Sequence, residues 1–411
     1  MNYYYNEIKI IFEKGSIIST SVFGSPKGYF AAIGTATDSL IYKGDFVNEL
    51  ITMMNTIYNK ENKINRKIAF EIFKNDIFWF IFNLKINSLG MNENGIKQMF
   101  DEMYNKEMKV YSVFSDVYGI HLVDKSKVYS VSSFNIYYWP MTRVEIEKRT
   151  KANQEVLWAG KKHDYLIETT VEAADSQKAL ELAILLFERF QYFMHIAIGR
   201  KEKRFNVSID LENFVHAKHT LLLCDGAITS NTSLENRVET IPIDELLSET
   251  DQIYGYEAMW NLLKIKEPNE FQKRLILALE WLGQAYRDNS LPTSFIKAAI
   301  SLEIIFSYNG GTVITPSILH QLSESAALIL GNNADECIKI EQEMKKLYGR
   351  RSSIVHTGSN EIDIEMIMDI LNYSSCIILV LLNKKEYHKI KDGKELYDLL
   401  KMKKYHNPQQ L

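Results

Sequence analysis

From Asn269 to Leu382 the chain is written in helix-length apolar periods separated by turn punctuation, a pattern that leaves few folds open. Asn269 to Arg287 places Phe271, Leu275, Leu279 and Leu282 at the spacing of one helix face. Asp288-Asn289-Ser290-Leu291-Pro292 breaks the run, and Pro292 stands where a new helix can start. Phe295 to Tyr308 makes a second helix, ended by Asn309-Gly310-Gly311. Pro316 opens a third, which runs to Leu330 and stops at Gly331-Asn332-Asn333. A fourth spans about Ala334 to Tyr348, and a fifth, Asp363 to Leu382, is strongly apolar in its second half. Helices joined by short polar turns predict a small all-α bundle.

The first 250 residues read differently. Ile8 to Phe12, Tyr29 to Gly34, Phe78 to Leu84, Lys109 to Phe114 and Asn135 to Tyr138 are short β-branched or aromatic runs bounded by turn residues, as strands are. Helical stretches alternate with them at Asp45 to Tyr58, Asn94 to Lys106 and Ser176 to Phe193. In the last, Asp175 is placed as N-cap, and Ala179, Leu182, Ala183, Leu186 and Phe187 form the apolar stripe. The preceding Leu166 to Ala173 reads as a strand. The expectation is an α+β multidomain chain. A mixed α/β region over residues 1–250, split near Arg149-Thr150-Lys151, precedes an all-α bundle over 251–411. The polar, acidic Leu234 to Thr250 reads as the linker.

With 411 residues the chain is long enough for two or three domains with real cores. Its net charge of −4 supplies no global positive field, which argues against bulk binding of long DNA but not against a small local basic site. Lys384 to Lys404 holds eight lysines against four acids. It can help hold RNA, although a solvated helix face accounts for it more simply. Cys224, Cys337 and Cys376 show no paired spacing, which suits a reducing compartment. No signal peptide is expected from the opening residues, and the apolar stretch Cys376 to Leu382 is too short to span a bilayer. A cytoplasmic protein without membrane association is the expectation.

The chemistry concentrates in Arg350-Arg351-Ser352-Ser353-Ile354-Val355-His356. A guanidinium takes phosphate oxygens in a planar two-pronged grip and stays charged at physiological pH. An imidazole takes and returns a proton near neutrality. Together they can cleave RNA without a metal, by moving the 2′-hydroxyl proton so that its oxygen attacks the adjacent phosphate. The N-terminal region offers nothing comparable. Gly24-Ser25-Pro26-Lys27-Gly28 lacks the phosphate-loop spacing and reads as a turn. His216 and His219 with Cys224 lack a fourth zinc ligand nearby. The aromatic run from Phe134 to Trp139 reads as core and turn rather than a base-stacking platform. No metal and no cofactor are expected.

Leu347-Tyr348-Gly349-Arg350-Arg351-Ser352-Ser353-Ile354-Val355-His356-Thr357-Gly358 closely resembles the R-x4–6-H signature of the HEPN superfamily, and more narrowly its Apea-like branch. Tyr348, Arg351, Ser352, Val355, His356 and Gly358 fill the places of that motif, and the resemblance covers about 150 residues of 411. It implies a helical bundle with the motif between its fourth and fifth helices. Arg351 and His356 are then catalytic, supported by Ser352, Arg350 and Tyr348. Arg351 leaves four residues before His356 and Arg350 leaves five, and both fit the family range. Ser352 places Arg351 first; Arg350 then contacts a neighbouring phosphate or sits on the surface.

Glu303 is the one carboxylate in Ala299 to Phe306, costly to bury without a cation or donor. The resemblance supplies a partner, because Apea-like domains carry a glutamate facing the motif arginine. Orienting Arg351 or Arg350 is its expected role, and the solvent edge of an amphipathic helix is the alternative.

Five positions along a helix rotate by about 140°, so the helix must bend or end near Gly349, or a second subunit must complete the site. HEPN domains take the second route, which implies a homodimer or higher homo-oligomer. The function expected is a metal-independent RNA endonuclease whose products end in 2′,3′-cyclic phosphate. The resemblance sets it in bacterial anti-phage defence by abortive infection, with the N-terminal region sensing a phage-derived trigger or regulating the bundle. The alternative is a non-catalytic HEPN module that binds nucleotides or a partner protein.

Overall fold

The computed structural model of the chain describes residues 4–19, 28–150, 164–201, 205–209, 217–224, 227–234, 239–307, 318–357 and 362–406. The fold is α+β, with small sheets in its N-terminal part and a helical C-terminal region. Two compact units divide the chain: Met1–Val113 with Thr170–Leu185, and Phe114–Thr169 with Leu186–Leu411.

The first unit holds α1 (Tyr5–Lys14), β1 (Ser16–Ser19), β2 (Tyr29–Gly34), β3 (Asp38–Lys43), α2 (Val47–Lys60), α3 (Asn62–Asn65), α4 (Phe70–Ile86) and α5 (Glu93–Tyr104). β3 lies between β1 and β2, antiparallel to both, and turns Leu40 and Tyr42 into the core. Two strand expectations fail here. Ile8 to Phe12 lies in α1, whose buried Ile8 and Ile11 are three apart, a helical spacing. Phe78 to Leu84 lies in α4, where Phe73, Ile77, Phe78, Ile81 and Phe82 are buried. Short runs of apolar residues do not distinguish a strand from a buried helix, and in α4 the helical period extends upstream of the run to Phe73 and Ile77. Asp175 caps as expected, accepting from Lys178 N at 2.7 Å, and its other oxygen accepts from Ala69 N at 3.0 Å.

The division falls within three elements, β4 (Lys109–Asp116), β8 (Tyr165–Ala173) and α7 (Ser176–Ile198). The second unit adds β5 (Ile120–His121), β6 (Tyr129–Val131), β7 (Phe134–Tyr138) and α6 (Trp139–Thr150). β7 pairs antiparallel with β6 and with β8. Phe134 packs on Phe190 of α7 at 5.1 Å between ring centroids, and Trp260 closes over Phe190 and Phe193. Trp139 opens α6, while Phe134 is core. A hairpin follows, β9 (Ala217–Cys224) with β10 (Ala227–Leu234), and then β11 (Ile241–Pro242), parallel to β5.

The expected linker does not hold over its whole length. Its second half forms α8 (Ile243–Tyr254), which buries Ile243, Leu247 and Thr250. These positions are spaced three or four apart, so an amphipathic helix hides within a polar average.

After the short α9 (Glu257–Asn261) come α10 (Glu270–Arg287), α11 (Leu291–Phe306), α12 (Ile318–Leu330), α13 (Ala334–Thr357), α14 (Ile364–Asn383) and α15 (Gly393–His406). A capping box between Asn269 and Gln272 starts α10. Ser290 caps α11 with Pro292 in its first turn, so this helix begins earlier than Phe295. The turns at Asn309-Gly310-Gly311 and at Pro316 lie outside the described residues. α14 packs against α10, α11 and α12 through Ile367, Ile370, Leu371, Ile377 and Ile378. The stretch Cys376 to Leu382 thus belongs to a helix of 20 residues that is long and apolar enough to cross a membrane, yet 44% of its apolar window is buried inside the protein.

Candidate functional site

The motif does not sit between helices. α13 continues through it to Thr357, with Gly349 in its interior. The expected stop after Tyr348 is overruled because Leu347, Tyr348 and Ile354 are buried on the helix's inner side. Burial of that kind outweighs the roughly 1 kcal/mol that an interior glycine costs.

Glu303, near the C-terminal end of α11, meets α13 at Tyr348 and Arg351. These two are three apart on α13, so they share a face. The Tyr348 hydroxyl donates to Glu303 Oε1. Arg351 Nε lies 3.0 Å from the same oxygen, but its N–H is not aligned with it, so this contact is an ion pair rather than a hydrogen bond. Arg351 Nη2 donates to Oε2 over a long 3.5 Å. The guanidinium also lies 5.8 Å from the centre of the Tyr348 ring, within cation–π range. Burial, and then the bond to Glu303, push the Tyr348 hydroxyl well above its ordinary pKa, so it stays a donor. The side chains of Arg351 and Glu303 are 25% and 19% exposed, which makes the pair neither a surface ornament nor a sealed one.

Of the expected site residues, Glu303, Tyr348 and Arg351 come together. The solvent-edge alternative for Glu303 is overturned by its two partners. Arg350 is half-buried on the adjacent face and makes no hydrogen bond or ion pair among the described residues. Ser352 is exposed. His356 belongs to the last turn of α13, and its side chain lies outside the described residues. In an unbroken helix, position 356 is rotated by about 140° from Arg351 and returns to the side of Gly349 and Ser352. The helix therefore does not end near Gly349 to gather the two motif residues.

Another tyrosine–carboxylate pair on α13 is not marked in the sequence. The Tyr373 hydroxyl of α14 donates to Glu343 of α13. Nothing in the local sequence marks it, because it exists only once those helices pack.

Elsewhere, Gly24 to Lys27 and His216 lie outside the described residues, as do the side chains of His219 and Cys224. Among the described residues, no three His, Cys, Asp or Glu side chains converge as a metal site. Several of the C-terminal lysines are engaged. Lys403 binds Glu386 at 2.7 Å, and Lys404 pairs with Glu324. No protein-family model, no curated protein and no solved structure matches this chain.

Proposed function

We propose that the chain is a metal-independent RNA endonuclease of HEPN type, with Arg351 and His356 as its catalytic residues. The observation that supports this reading most is the clasp of Glu303 on Tyr348 and Arg351. The carboxylate holds the guanidinium at a fixed place on α13 while leaving its side chain partly open to solvent. Arg351 then binds and neutralises the scissile phosphate. His356 moves the 2′-hydroxyl proton and returns one to the 5′-oxygen that leaves, which yields a 2′,3′-cyclic phosphate. Ser352 and Arg350 lie beside that phosphate, and Arg350 is the better placed for a second contact because it has no protein partner among the described residues.

The rotation between Arg351 and position 356 favours a site completed by a second copy, so the active form is a homodimer or higher homo-oligomer. Two arginine pairs meeting across a two-fold axis repel unless a phosphate or a carboxylate intervenes, and Glu303 supplies one carboxylate per copy. The remaining parts of the reading rest on the resemblance of the motif: cytoplasmic action, a role in stopping growth of phage-infected cells, and N-terminal sensing of a trigger. Incubation of the purified protein with total RNA and with DNA, with and without EDTA, tests the reading. RNA should be cut in both conditions and DNA spared, because DNA lacks the internal nucleophile. Loss of cutting on chelation, or comparable cutting of DNA, rejects it. No cutting under any condition would leave the non-catalytic HEPN module.

A further inference from the structure

A cavity of about 200 Å³ opens between α12 and α15. His320 and Gln321 line one wall, and Tyr397, Lys401, Lys404 and Tyr405 the other. Its volume falls below the roughly 300–1,000 Å³ of pockets that enclose a drug-sized molecule, so it suits one ring of a longer ligand. Tyr405 is 67% exposed, which leaves its ring open to a stacking partner. The charges are nearly balanced. Glu324 is neutralised by Lys404, whose ammonium also lies 5.8 Å from the Tyr405 ring centre. Lys401 is exposed and has no hydrogen-bond or ion-pair partner among the described residues. What remains is a stacking face, an amide and one uncommitted cation. That combination recognises a base with its phosphate.

The groove also lies along the motif helix. Lys404 is within electrostatic reach of Glu341 on α13, and Arg351 follows ten residues later. Ten residues advance about 15 Å along a helix axis. That is about four stacked nucleotides of a single strand at about 3.4 Å each.

We propose that the groove between α12 and α15 holds one nucleotide of the single-stranded RNA whose scissile phosphate reaches Arg351, with the base on Tyr405 and the phosphate at Lys401. This rests on the ribonuclease reading for its substrate. Neither residue touches the reacting atoms, so both set affinity rather than the chemical step.

The test is fluorescence anisotropy of a labelled, fully 2′-O-methylated RNA oligonucleotide that cannot be cleaved, titrated with the full chain. Tyr405→Ala should weaken binding roughly 5- to 150-fold, the span of one lost base stack. Lys401→Ala should reduce the slope of log affinity against log salt by about 0.7, one single-strand phosphate contact. Adenosine monophosphate alone should compete poorly. Binding equal to wild type in both variants overturns the groove while leaving the ribonuclease reading intact. So does a wild-type protein that binds the monophosphate but not the oligonucleotide. A wild type that binds through these residues yet cuts no RNA keeps the groove and removes the ribonuclease reading.

Discussion

Glu303→Gln removes one charge from the clasp and keeps its shape, so its effect isolates the ion pair. Exposed pairs contribute about 0–1 kcal/mol, and breaking a fully buried pair costs about 3–5 kcal/mol. With side chains 25% and 19% exposed, the Arg351–Glu303 pair falls between those limits. A cost of about 1–3 kcal/mol follows, part of it the desolvation of a guanidinium left without its counter-charge. In a unit of this size that lowers the melting midpoint by roughly 2–5 °C. A double-mutant cycle with Arg351→Gln separates the pair from its surroundings, read by thermal denaturation with circular dichroism. The expected coupling is about 1–3 kcal/mol. RNA cleavage by Glu303→Gln should also fall, since its arginine is no longer held. Additivity within about 0.5 kcal/mol, together with full cleavage by the single variant, would refute the clasp as a positioning device.

Further outcomes follow from particular residues. His195 is 2% exposed and its ring lies 3.3 Å from the Val207 carbonyl; burial, then the positive charge of Arg287, lowers its pKa to about 3. The unfolded chain takes up that proton near pH 6.5, so the stability from neutral His195 is complete above about 6.5 and is lost as pH falls toward 3, by up to about 1.4 kcal/mol per pH unit. Melting midpoints between pH 7.5 and 4.5 should show a steeper acid decline in wild type than in His195→Gln. Gly283→Ala should destabilise by about 1–3 kcal/mol despite its better helix propensity, because the new Cβ would lie 2.4 Å from Tyr192 Cβ and 2.6 Å from its backbone. Gly349→Ala, with nothing within 4 Å of its new methyl, should instead stabilise by about 0.5–1 kcal/mol, and urea denaturation compares the two. Inactive Arg351→Ala and inactive His356→Ala proteins should regain cleavage when mixed, because a mixed dimer holds one cleft with both residues; a strictly monomeric protein cutting at full rate contradicts the composite site.

Much of the bundle was legible because its signals are local. Asn269, Ser290 and Asp363 all accept from the first-turn backbone of the helix that follows them, and each stands at a break in apolar period. Glu303 was legible for a related reason: a lone carboxylate among Leu302, Ile304, Ile305 and Phe306 demands a partner. The failures share a cause too. Gly349 looked like a stop, yet nothing in its own neighbourhood says that Leu347, Tyr348 and Ile354 are buried against other helices. Ile8 to Phe12 and Phe78 to Leu84 have strand-like composition; the helical face shows in Ile8 and Ile11, three apart, and in Phe73 and Ile77 upstream of the second run. The bond from Tyr373 to Glu343 joins residues 30 apart and depends wholly on how α14 meets α13.

The central claim is that Arg351 and His356 direct the 2′-oxygen of RNA onto its own phosphate. The most direct measurement is mass spectrometry of the ends left when the protein cuts a defined RNA oligonucleotide in EDTA. The expected products carry a 2′,3′-cyclic phosphate and a 5′-hydroxyl. Arg351→Ala and His356→Ala should each form them about 10²- to 10⁴-fold more slowly while retaining the wild-type circular dichroism. Products ending in 3′-hydroxyl and 5′-phosphate, or unchanged rates in either variant, would contradict it.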